Sequence, residues 1–553
     1  MMPLSEVELD PLYYLHNFEQ LCATVYRQYQ DLLQPAELEF YRRFEVAEQS
    51  ARGLFVRLVS RRGELFRREQ LDYPELGVLD DAIDAGAAAA LLATEENPDP
   101  EALLTLLRKD ELLALFGERT PIRASMRKAE LVACLQESLD ADELLAIWRA
   151  ARETGAGLLR VEHGPVIELL QLLFFGNRRQ SLTEFVLSDL GIARHVAYSL
   201  DRQERLFDCR EQIDEYLLLG ALGDKFYEAV EEDDSSAVSA LVEPLLAPGC
   251  APLLERRRDR LRNRVARQLE RYSELPPALA LYACSQRHPA RERRVRIHTA
   301  LQDFQTALDL CEEIKAAPWC EAEIDFVRRQ LPALHKKLGQ EYPALARDSF
   351  AEERLQLPAA ASVERLVAEH YAERWQQVHF VENVVINGSF GLALWEQIFA
   401  PVPGAFVNPF QSAPLDMYTG EFYTARRDAI EQRLAELAQS DLRAQLLAAY
   451  DHCEGLASHW VNWRYLSREV LAAALECIPR EHWLLIWRRI LFDPEANRSG
   501  CPDLLALDPE RGYCLIEVKG PGDQLQLNQR RWLRFFQDNE IPAQVAWVKW
   551  TDA

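Results

Sequence analysis

Three polar side chains near the end of the chain have the types and spacing needed to bind a cation and handle a proton. Asp503 follows Pro502, and Glu517 and Lys519 come after a spacer of 13 residues. Because side chains alternate along a strand, Glu517 and Lys519 lie on one face. Two carboxylates suit a hard divalent cation, and a neighbouring ammonium suits proton transfer or charge stabilisation. A cross-strand ion pair of Lys519 with Glu517 or Asp503 is the structural alternative.

A β-hairpin followed by a helix and a strand is predicted to position these groups. Residues 502–519 contain two short β-rich runs around a turn at 508–512, and a helix over 529–538 and a strand over 543–550 follow. This order is typical of a small α/β domain. Asp503 begins the first strand of the hairpin, so its carboxylate can lie opposite the other two groups.

The chain before about residue 480 has helical periodicity. Residues 17–31 and two short segments between 103 and 135 place apolar side chains every three or four positions. Residues 270–370 are typical of helical hairpins of roughly thirty to forty residues each, although no strict repeat signature is present.

One predicted helix has an unusual charge. Residues 251–300 contain 13 arginines against five acidic residues, a local net charge of +8. Over about 253–272, apolar residues fall on one helical face and arginines on the other. The arginines of this row are Arg256, Arg260, Arg264, Arg267 and Arg271. A surface that follows phosphates and an ordinary solvated face both remain open.

Length and composition predict several domains in a soluble, cytoplasmic protein. The 553 residues correspond to about three to five domains, and the net charge of −25 argues against non-specific coating of nucleic acid. No apolar run approaches the roughly 18 residues that span a bilayer, and no secretory signal is present. The 11 cysteines lack a C-x-x-C pair, which favours buried apolar residues over disulfides or zinc.

Motifs spread over most of the chain resemble the Fanconi-associated nuclease family. Pro502, Asp503, Glu517 and Lys519 match the PD-(D/E)xK nuclease pattern, which together with 497–504 and 528–533 resembles its VRR-NUC branch. Segments similar to the wider family or its bacterial members are 13–18, 174–180, 184–187, 379–383, 391–395 and 410–418. Residues 125–135, with the helix before them, look like a SAP domain.

The resemblance implies a metal-dependent nuclease that acts on branched DNA. The family cuts 5′ flaps near the junction, has 5′→3′ exonuclease activity of the phosphodiesterase I type, and takes part in interstrand crosslink repair. Carried over by motif, Glu382, Asp503 and Glu517 are the metal-binding carboxylates, for Mg²⁺ or Mn²⁺. The backbone carbonyl of Val518 is a further ligand, and Lys519 is the catalytic lysine.

Other polar residues are candidates for contacts around this centre. Arg498, Gln529 and Arg530 are candidates for positioning phosphate or a ligand, and each is as consistent with a surface residue. Basic residues suggesting duplex contacts are Arg61, Arg62, Arg127 and Lys128, within wider patches that include Arg57, Arg67, Arg68 and Arg123. His379, His452 and His459 fit no common zinc site and are interpreted as structural.

The predicted architecture is multidomain and mainly α-helical, with SAP-like and TPR-like regions and a C-terminal α/β PD-(D/E)xK nuclease core. The regions are 1–80, an N-terminal helical region; 81–190, a SAP-containing DNA-binding region; 191–365, a TPR-like region with the basic helix; and 366–553, the VRR-NUC domain. The expected partner is branched or flapped DNA, bound by a monomer or a DNA-dependent dimer, with nucleoid association when on DNA. The cysteine and histidine pattern of the animal ubiquitin-binding zinc finger is not found, which suggests a bacterial type.

Two other functions remain open at this level. A four-way-junction resolvase would require a dimer, because it needs two symmetric active sites. A non-catalytic DNA-repair scaffold with a vestigial nuclease fold is the second alternative, and the intact set of two acids and a lysine argues against it.

Overall fold

The chain divides into two compact units, each described here by itself. The computed structural model describes residues 10–61, 63–151, 157–177, 194–345, 347–359 and 362–551. The first unit comprises Met1–Arg194 and Leu200–Arg202, and the second comprises His195–Ser199 and Gln203–Ala553. Arg62, residues 178–180 and residues 184–187 lie outside the described residues. Within those ranges no helix is long and apolar enough to cross a membrane.

The first unit combines helices with a small antiparallel sheet. Its strands are β1 (Leu65–Arg67), β2 (Leu92–Glu95) and β3 (Leu158–Val161), and β3 lies between the other two. Its helices are α1 (Tyr13–Tyr29), α2 (Pro35–Val46), α3 (Gln49–Val59), α4 (Leu79–Ala88), α5 (Pro100–Leu106), α6 (Lys109–Phe116), α7 (Lys128–Ser138), α8 (Ala141–Ala151) and α9 (Gly164–Phe175). The sheet was not predicted, because strands of three or four residues are too short to show an alternating pattern.

The second unit begins as a stack of helical hairpins. The helices before its sheet are α10 (Arg210–Glu231), α11 (Ser235–Ala240), α12 (Val242–Leu246), α13 (Pro252–Arg271), α14 (Leu275–Cys284), α15 (Ala290–Ala300), α16 (Phe304–Ala316) and α17 (Glu321–Lys337). Leu261, Val265 and Leu269 of α13 lie in a buried cluster with α10 and α14. The predicted basic helix is therefore present as α13, with its apolar face in the core.

A five-stranded mixed sheet forms the rest of the second unit. Its strands are β4 (Glu352–Pro358), β5 (Gln377–Phe380), β6 (Leu504–Asp508), β7 (Gly512–Lys519) and β8 (Ala543–Thr551), in the spatial order β4-β8-β7-β6-β5. β6 runs antiparallel to β5 and β7, whereas β8 is parallel to β4 and β7. The predicted hairpin and final strand are β6, β7 and β8. The short strands β4 and β5 were not predicted.

Helices cover the sheet and hold its strand ends in place. They are α18 (Val363–Ala372), α19 (Val384–Ala393), α20 (Trp395–Ile398), α21 (Gly420–Gln439), α22 (Leu442–Cys453), α23 (Arg468–Cys477), α24 (Arg480–Phe492), α25 (Pro494–Asn497) and α26 (Leu527–Asp538). Short 3₁₀ turns lie at Arg68–Gln70, Pro74–Leu76 and Arg202–Glu204. Ile516 and Val518 of β7 pack in a buried cluster with Val367 and Tyr371 of α18. The side chains between them, including Glu517, therefore face the other way.

Arg262, a buried arginine of α13, provides a test of which interactions stabilise the helical stack. Arg262 is 1% exposed, and its guanidinium donates to Asp259 Oδ1 at 2.8 Å and to the carbonyls of Leu245 at 2.7 Å and Ala247 at 2.9 Å. Arg262→Met should lower the stability of this segment by about 3 kcal/mol, because the buried Asp259 loses its ion-pair partner and two backbone carbonyls lose a donor. Native-state hydrogen exchange of α13 and α14 measures this loss.

Arg267→Met is the matched control on the same helix. The Arg267 side chain is 48% exposed and pairs only with Glu270, at 3.0 Å. Its replacement should change exchange by less than about 1 kcal/mol. Equal effects of the two substitutions would contradict a structural role specific to Arg262.

Candidate active site

The ends of β6 and β7 bring the predicted acids and lysine together. Leu504 pairs with Ile516, so the same register places Asp503 beside Glu517. The Val518 N–H donates to Asp503 Oδ2 at 2.8 Å, and Lys519 Nζ lies 2.7 Å from Glu517 Oε1. The predicted alternation is correct, since both Glu517 and Lys519 lie on the face opposite Val518. Of the ion pairs offered as the structural alternative, the one between Lys519 and Glu517 does form, within β7 rather than across two strands.

Glu517 is buried and Asp503 is half-buried, and their charges are poorly compensated. Glu517 is 1% exposed and Lys519 is 8% exposed. Burial and the Asp503 charge raise the pKa of Glu517 to about 7, although Lys519 acts in the opposite direction. Burial also raises the pKa of Asp503, against the Val518 N–H and Lys519. The site therefore has an excess of negative charge in apolar surroundings, where a cation would be favourable.

Glu382 lies at the end of β5, beside Asp503. The backbone N–H groups of Val381 and Glu382 both donate to the Asp503 carbonyl, at 2.8 and 3.3 Å. Asn383 then adopts a left-handed backbone with φ of +62°, and its Oδ1 accepts from the Cys501 N–H at 3.0 Å. The Glu382 side chain is exposed, but its charge acts on Asp503 and Glu517. Two chain segments 120 residues apart are thus joined by backbone bonds at the site.

These carboxylates suit a divalent cation but are not preassembled around one. Among the residues that the structure describes, no three His, Cys, Asp or Glu side chains form a group that could hold a metal ion. Glu517 Oε1 is buried without a hydrogen bond of standard geometry, and Lys519 is its close ion-pair partner. Carboxylate oxygens are the donors that Mg²⁺ and Mn²⁺ prefer. Asp503 and Glu517, with Glu382 at the rim, therefore fit such an ion.

Two further residues shape the site and were not found from the sequence. Glu364 is the second residue of α18; it accepts from Ser362 Oγ at 3.0 Å, and its charge acts on Asp503. An acid at this position of a helix carries no signal in the sequence. Gly500 has φ of +85°, and a Cβ there would lie 2.9 Å from the backbone carbon of Asn528, so only glycine fits between the hairpin and α26.

The predicted supporting residues have different surroundings. The Arg498 guanidinium lies 4.8 Å from the Tyr418 ring centre and is exposed. Gln529 Oε1 accepts from the Gln526 N–H at 2.9 Å and so caps the start of α26. Arg530 is exposed, donates to the Leu525 carbonyl at 3.2 Å, and does not contact the acidic centre. Their roles in catalysis stay predictions.

The arginine row of α13 is only partly neutralised. Arg256 contacts Glu421 at 3.4 Å, and Arg267 pairs with Glu270 at 3.0 Å. Arg264 donates to the Tyr227 hydroxyl at 2.8 Å. Arg260 is exposed and makes no ion pair with the described residues. Its pKa is lowered by desolvation from the surrounding side chains and by the positive charges of Arg287, Arg256, Arg257 and Arg264. An uncompensated cluster of this kind favours anion binding.

The basic patches of the first unit are weaker than the sequence suggested. Arg57 and Arg67 pair with Glu75 and Glu111, both at 2.6 Å, and Arg68 pairs with Asp80. Lys128 donates to the Thr105 carbonyl. Of the predicted contacts, the exposed ones are Arg61, which lies 5.4 Å from the Tyr73 ring centre, Arg123 and Arg127. Arg62 is outside the described ranges.

Comparison with protein families identifies three regions of the chain. The family model described as VRR-NUC domain matches residues 437–550. The model described as FAN1, HTH domain matches residues 12–93, and the Fanconi anemia-associated nuclease SAP domain matches residues 99–151. The SAP and VRR-NUC predictions are confirmed, and the four-region boundaries stay predictions.

Similar proteins cover nearly the whole chain. The Fanconi-associated nuclease 1 homolog of Pseudomonas aeruginosa is 36% identical over 558 residues, which cover 99% of this chain and 98% of that protein. The homolog of Arabidopsis thaliana is 25% identical over 97% of this chain and 67% of its own length. Fanconi-associated nuclease 1 of Homo sapiens is 33% identical over 34% of this chain and 19% of its own length.

Solved structures share the fold. The crystal structure of paFAN1 bound to 2nt 5′ flap DNA with a gap has a TM-score of 0.83 and 35% identity, covering 98% of this chain and 99% of that one. A complex with 1nt 5′ flap DNA with a gap has the same TM-score, 36% identity, and coverage of 98% and 100%. The predicted fold class is therefore confirmed.

The buried Glu517 provides a pH-dependent test of the site. Because its pKa rises from an ordinary value near 4.5 to about 7 on folding, the metal-free protein is most stable below pH 4.5 with respect to this group. That contribution is lost as the pH rises through 7. Glu517→Gln should reduce the loss of stability between pH 5 and pH 8 by on the order of 1–3 kcal/mol. Thermal melting in EDTA at the two pH values measures it.

The same variant tests the predicted cation. Saturating Mn²⁺ at 100 times its dissociation constant should stabilise the natural protein by about 2.7 kcal/mol at pH 8 and Glu517→Gln much less. Glu510→Gln, an exposed carboxylate in the hairpin turn, is the control and should behave as the natural protein. An unchanged response of Glu517→Gln to both pH and Mn²⁺ would contradict the assignment.

Proposed function

Because the chain belongs to the Fanconi-associated nuclease family, we propose that this hydrolytic nuclease is a divalent-metal-dependent 5′ flap endonuclease with 5′→3′ exonuclease activity. Its role would be DNA repair, including repair of interstrand crosslinks. The observation that carries the proposal is the set of one buried carboxylate, one half-buried carboxylate and a lysine at the adjoining ends of β6 and β7. The similarity to paFAN1 in complex with flap DNA supports the choice of substrate.

Each residue of the site has a part in phosphodiester hydrolysis. A cation, Mg²⁺ or Mn²⁺, would supply Lewis acidity, polarising a phosphate oxygen and making water a better nucleophile. Asp503, fixed by the Val518 N–H at 2.8 Å, and Glu517 would hold that cation, together with Glu382 and the Val518 carbonyl. Lys519 lies 2.7 Å from Glu517, and its ammonium would orient the attacking water or neutralise phosphate charge.

A continuous set of contacts joins this centre to the arginine row. The Arg498 carbonyl accepts from Asn387 Nδ2 at 2.8 Å, in the helix that follows Glu382. The Arg498 guanidinium lies over Tyr418, and Arg256 donates to the next residue, Thr419 Oγ1, at 3.3 Å. We infer that DNA phosphates follow this line from the active site to Arg260 and Arg264 of α13. The line lies entirely within the second unit.

Removal of either buried carboxylate tests the catalytic centre. Asp503→Ala or Glu517→Ala should lower cleavage of a 5′ flap at least about 1,000-fold, because the cation loses a ligand and the phosphate loses its charge partner. Flap binding in EDTA should change less than about threefold. End-labelled 5′ flap, 3′ flap, four-way junction and plain duplex, each with Mn²⁺, Mg²⁺ or EDTA, are the substrates.

The substrate panel separates the alternatives. Symmetric cutting of the junction by a dimer would favour a resolvase over the flap nuclease. Tight binding without cleavage under either metal would identify a scaffold. Retained cleavage by Glu517→Ala would overturn the assigned centre, and Glu510→Ala is the folded, exposed control for charge loss.

The arginine row generates a separate prediction about DNA binding. Arg256→Gln, Arg260→Gln and Arg264→Gln together should weaken binding of duplex DNA and reduce the dependence of log K on log salt by about 2.7, at 0.9 per lost phosphate contact. The control has three exposed arginines that are already paired with acids, Arg354, Arg443 and Arg468, changed to Gln. An identical salt slope in the two triple variants would show that these arginines of α13 do not contact DNA phosphates.

A further inference from the structure

A charged cleft in the second unit is not accounted for by the catalytic centre. It has a volume of about 420 Å³ and lies between α17, the segment after it, and α26. Its lining residues are Asp325, Arg328, Arg329, Leu345, Arg347, Asp348, Leu527, Arg530 and Arg534. Five arginines and two aspartates give the lining a net charge of +3. Clefts of this size hold small ligands.

Most of these charges belong to a network of ion pairs that joins α17, the segment after it, and α26. Arg531 and Arg534 of α26 hold Asp325 of α17 at 2.6 and 2.9 Å. Asp348 is contacted by Arg328 at 3.0 Å, by Arg534 at 3.6 Å and by Arg530 at 3.8 Å. Asp325 is 6% exposed, so it requires this compensation. The network explains both aspartates and the arginines that bind them.

Two arginines of the cleft remain outside this network. Arg329 is exposed and donates only to the Asp325 carbonyl, at 3.2 Å, without an ion pair among the described residues. Arg347 is exposed and has no hydrogen bond or ion pair with any residue that the structure describes. Packing between α17 and α26 gives no reason for these two cations. Each of their guanidinium groups can donate two parallel hydrogen bonds to two oxygens of a phosphate.

The same cleft has an apolar part. Leu345 is 46% exposed and Leu527 is 48% exposed, although both are large aliphatic side chains. Both line the cleft, one on the segment after α17 and the other on the first turn of α26. Arginines beside exposed apolar surface match a nucleotide, which has charged phosphates and a flat base or sugar face, better than they match a bare anion.

The cleft lies close in the chain to the catalytic strand. Leu527 and Arg530 belong to the first turn of α26, which begins eight residues after Lys519. In that turn, Asn528 packs against Gly500, three residues before Asp503. α26 therefore both borders the cleft and contacts the segment that leads into Asp503.

We propose that this cleft binds a nucleotide unit, with its phosphate between Arg329 and Arg347 and its base or sugar against Leu345 and Leu527. The natural source is a nucleotide of the DNA strand that the active site binds, and in that form the proposal rests on the proposed nuclease function. A free nucleotide offers the same chemistry. The two sources are distinguished by experiment.

The experiment measures binding without cleavage, in EDTA. A 12-nucleotide thymidine strand without a 5′ phosphate, labelled at its 3′ end, is titrated by fluorescence anisotropy at several KCl concentrations. Arg329→Gln with Arg347→Gln should weaken binding about tenfold and lower the salt slope by about 1.4, at 0.7 per lost contact with a single strand. Leu345→Ser with Leu527→Ser should weaken binding several-fold and leave the salt slope unchanged.

The matched control removes the same charge elsewhere. Arg443→Gln with Arg468→Gln loses two exposed arginines that pair with Glu476 and Asp451, and it should bind as the natural protein does. Because Arg329 and Arg347 have no ion pairs to lose, their variant should keep the natural melting temperature. Unchanged affinity and salt slope in the Arg329, Arg347 variant would overturn the proposal.

Competition identifies the source of the nucleotide. Unlabelled thymidine monophosphate is added to the natural protein and to the Arg329, Arg347 variant, with direct binding followed by calorimetry. Weak competition with a clear effect of the substitutions on the strand assigns the cleft to DNA. Tight binding of the monophosphate that the substitutions abolish assigns it to a free nucleotide. These results are independent of whether Glu517→Ala abolishes cleavage, so the cleft and the nuclease centre can fail separately.

Discussion

The site depends on two carboxylates whose charged form is costly, because the sheet offers them little solvation. Glu517 is 1% exposed, and burial alone would favour its neutral form. Lys519 at 2.7 Å and the Val518 N–H on Asp503 offset only part of this cost. The strand ends must therefore be held firmly by other contacts, such as the Asn383 to Cys501 hydrogen bond at 3.0 Å. A cation binds the charged form of a carboxylate, so it would offset the cost of ionising Glu517 and Asp503. The burial that makes these charges costly therefore also favours cation binding.

The sequence was sufficient for the residues that follow the strand period and insufficient for those brought in by topology. Glu517, Val518 and Lys519 alternate as expected, and Asp503 is next to them because a short hairpin fixes the register. Glu382 could be named only from the family motif, because β5 has four residues and lies 120 positions away from Asp503. Glu364 has no pattern at all: an acid in the first turn of a helix is ordinary, and only the sheet order brings α18 to this edge.

Charge patterns predicted the helix face correctly but not which arginines are free. Periodicity placed Arg260 and Arg264 outward and the apolar residues of α13 inward, as observed. It gave no sign that Arg57, Arg67 and Arg68 would meet Glu75, Glu111 and Asp80, because these acids lie on other elements. Neutralisation is a tertiary property, so a row of arginines indicates a binding surface only where packing leaves it without partners. In an acidic chain, that absence of partners is more informative than the number of arginines.

Helix α26 carries arginines that pair with a buried acid, and it also borders the cleft that contains Arg329 and Arg347. Its buried Trp532 donates to the Ser499 carbonyl at 3.1 Å, which fixes the segment leading into Asp503. On the next face, Arg531 and Arg534 hold the buried Asp325 of α17. These bonds set the position of the helical stack relative to the catalytic strand within the second unit. The charges of Arg531 and Arg534 are thus paired with that of Asp325. Arg329 and Arg347 are exposed and have no ion pair among the described residues, so the packing of these helices does not explain them.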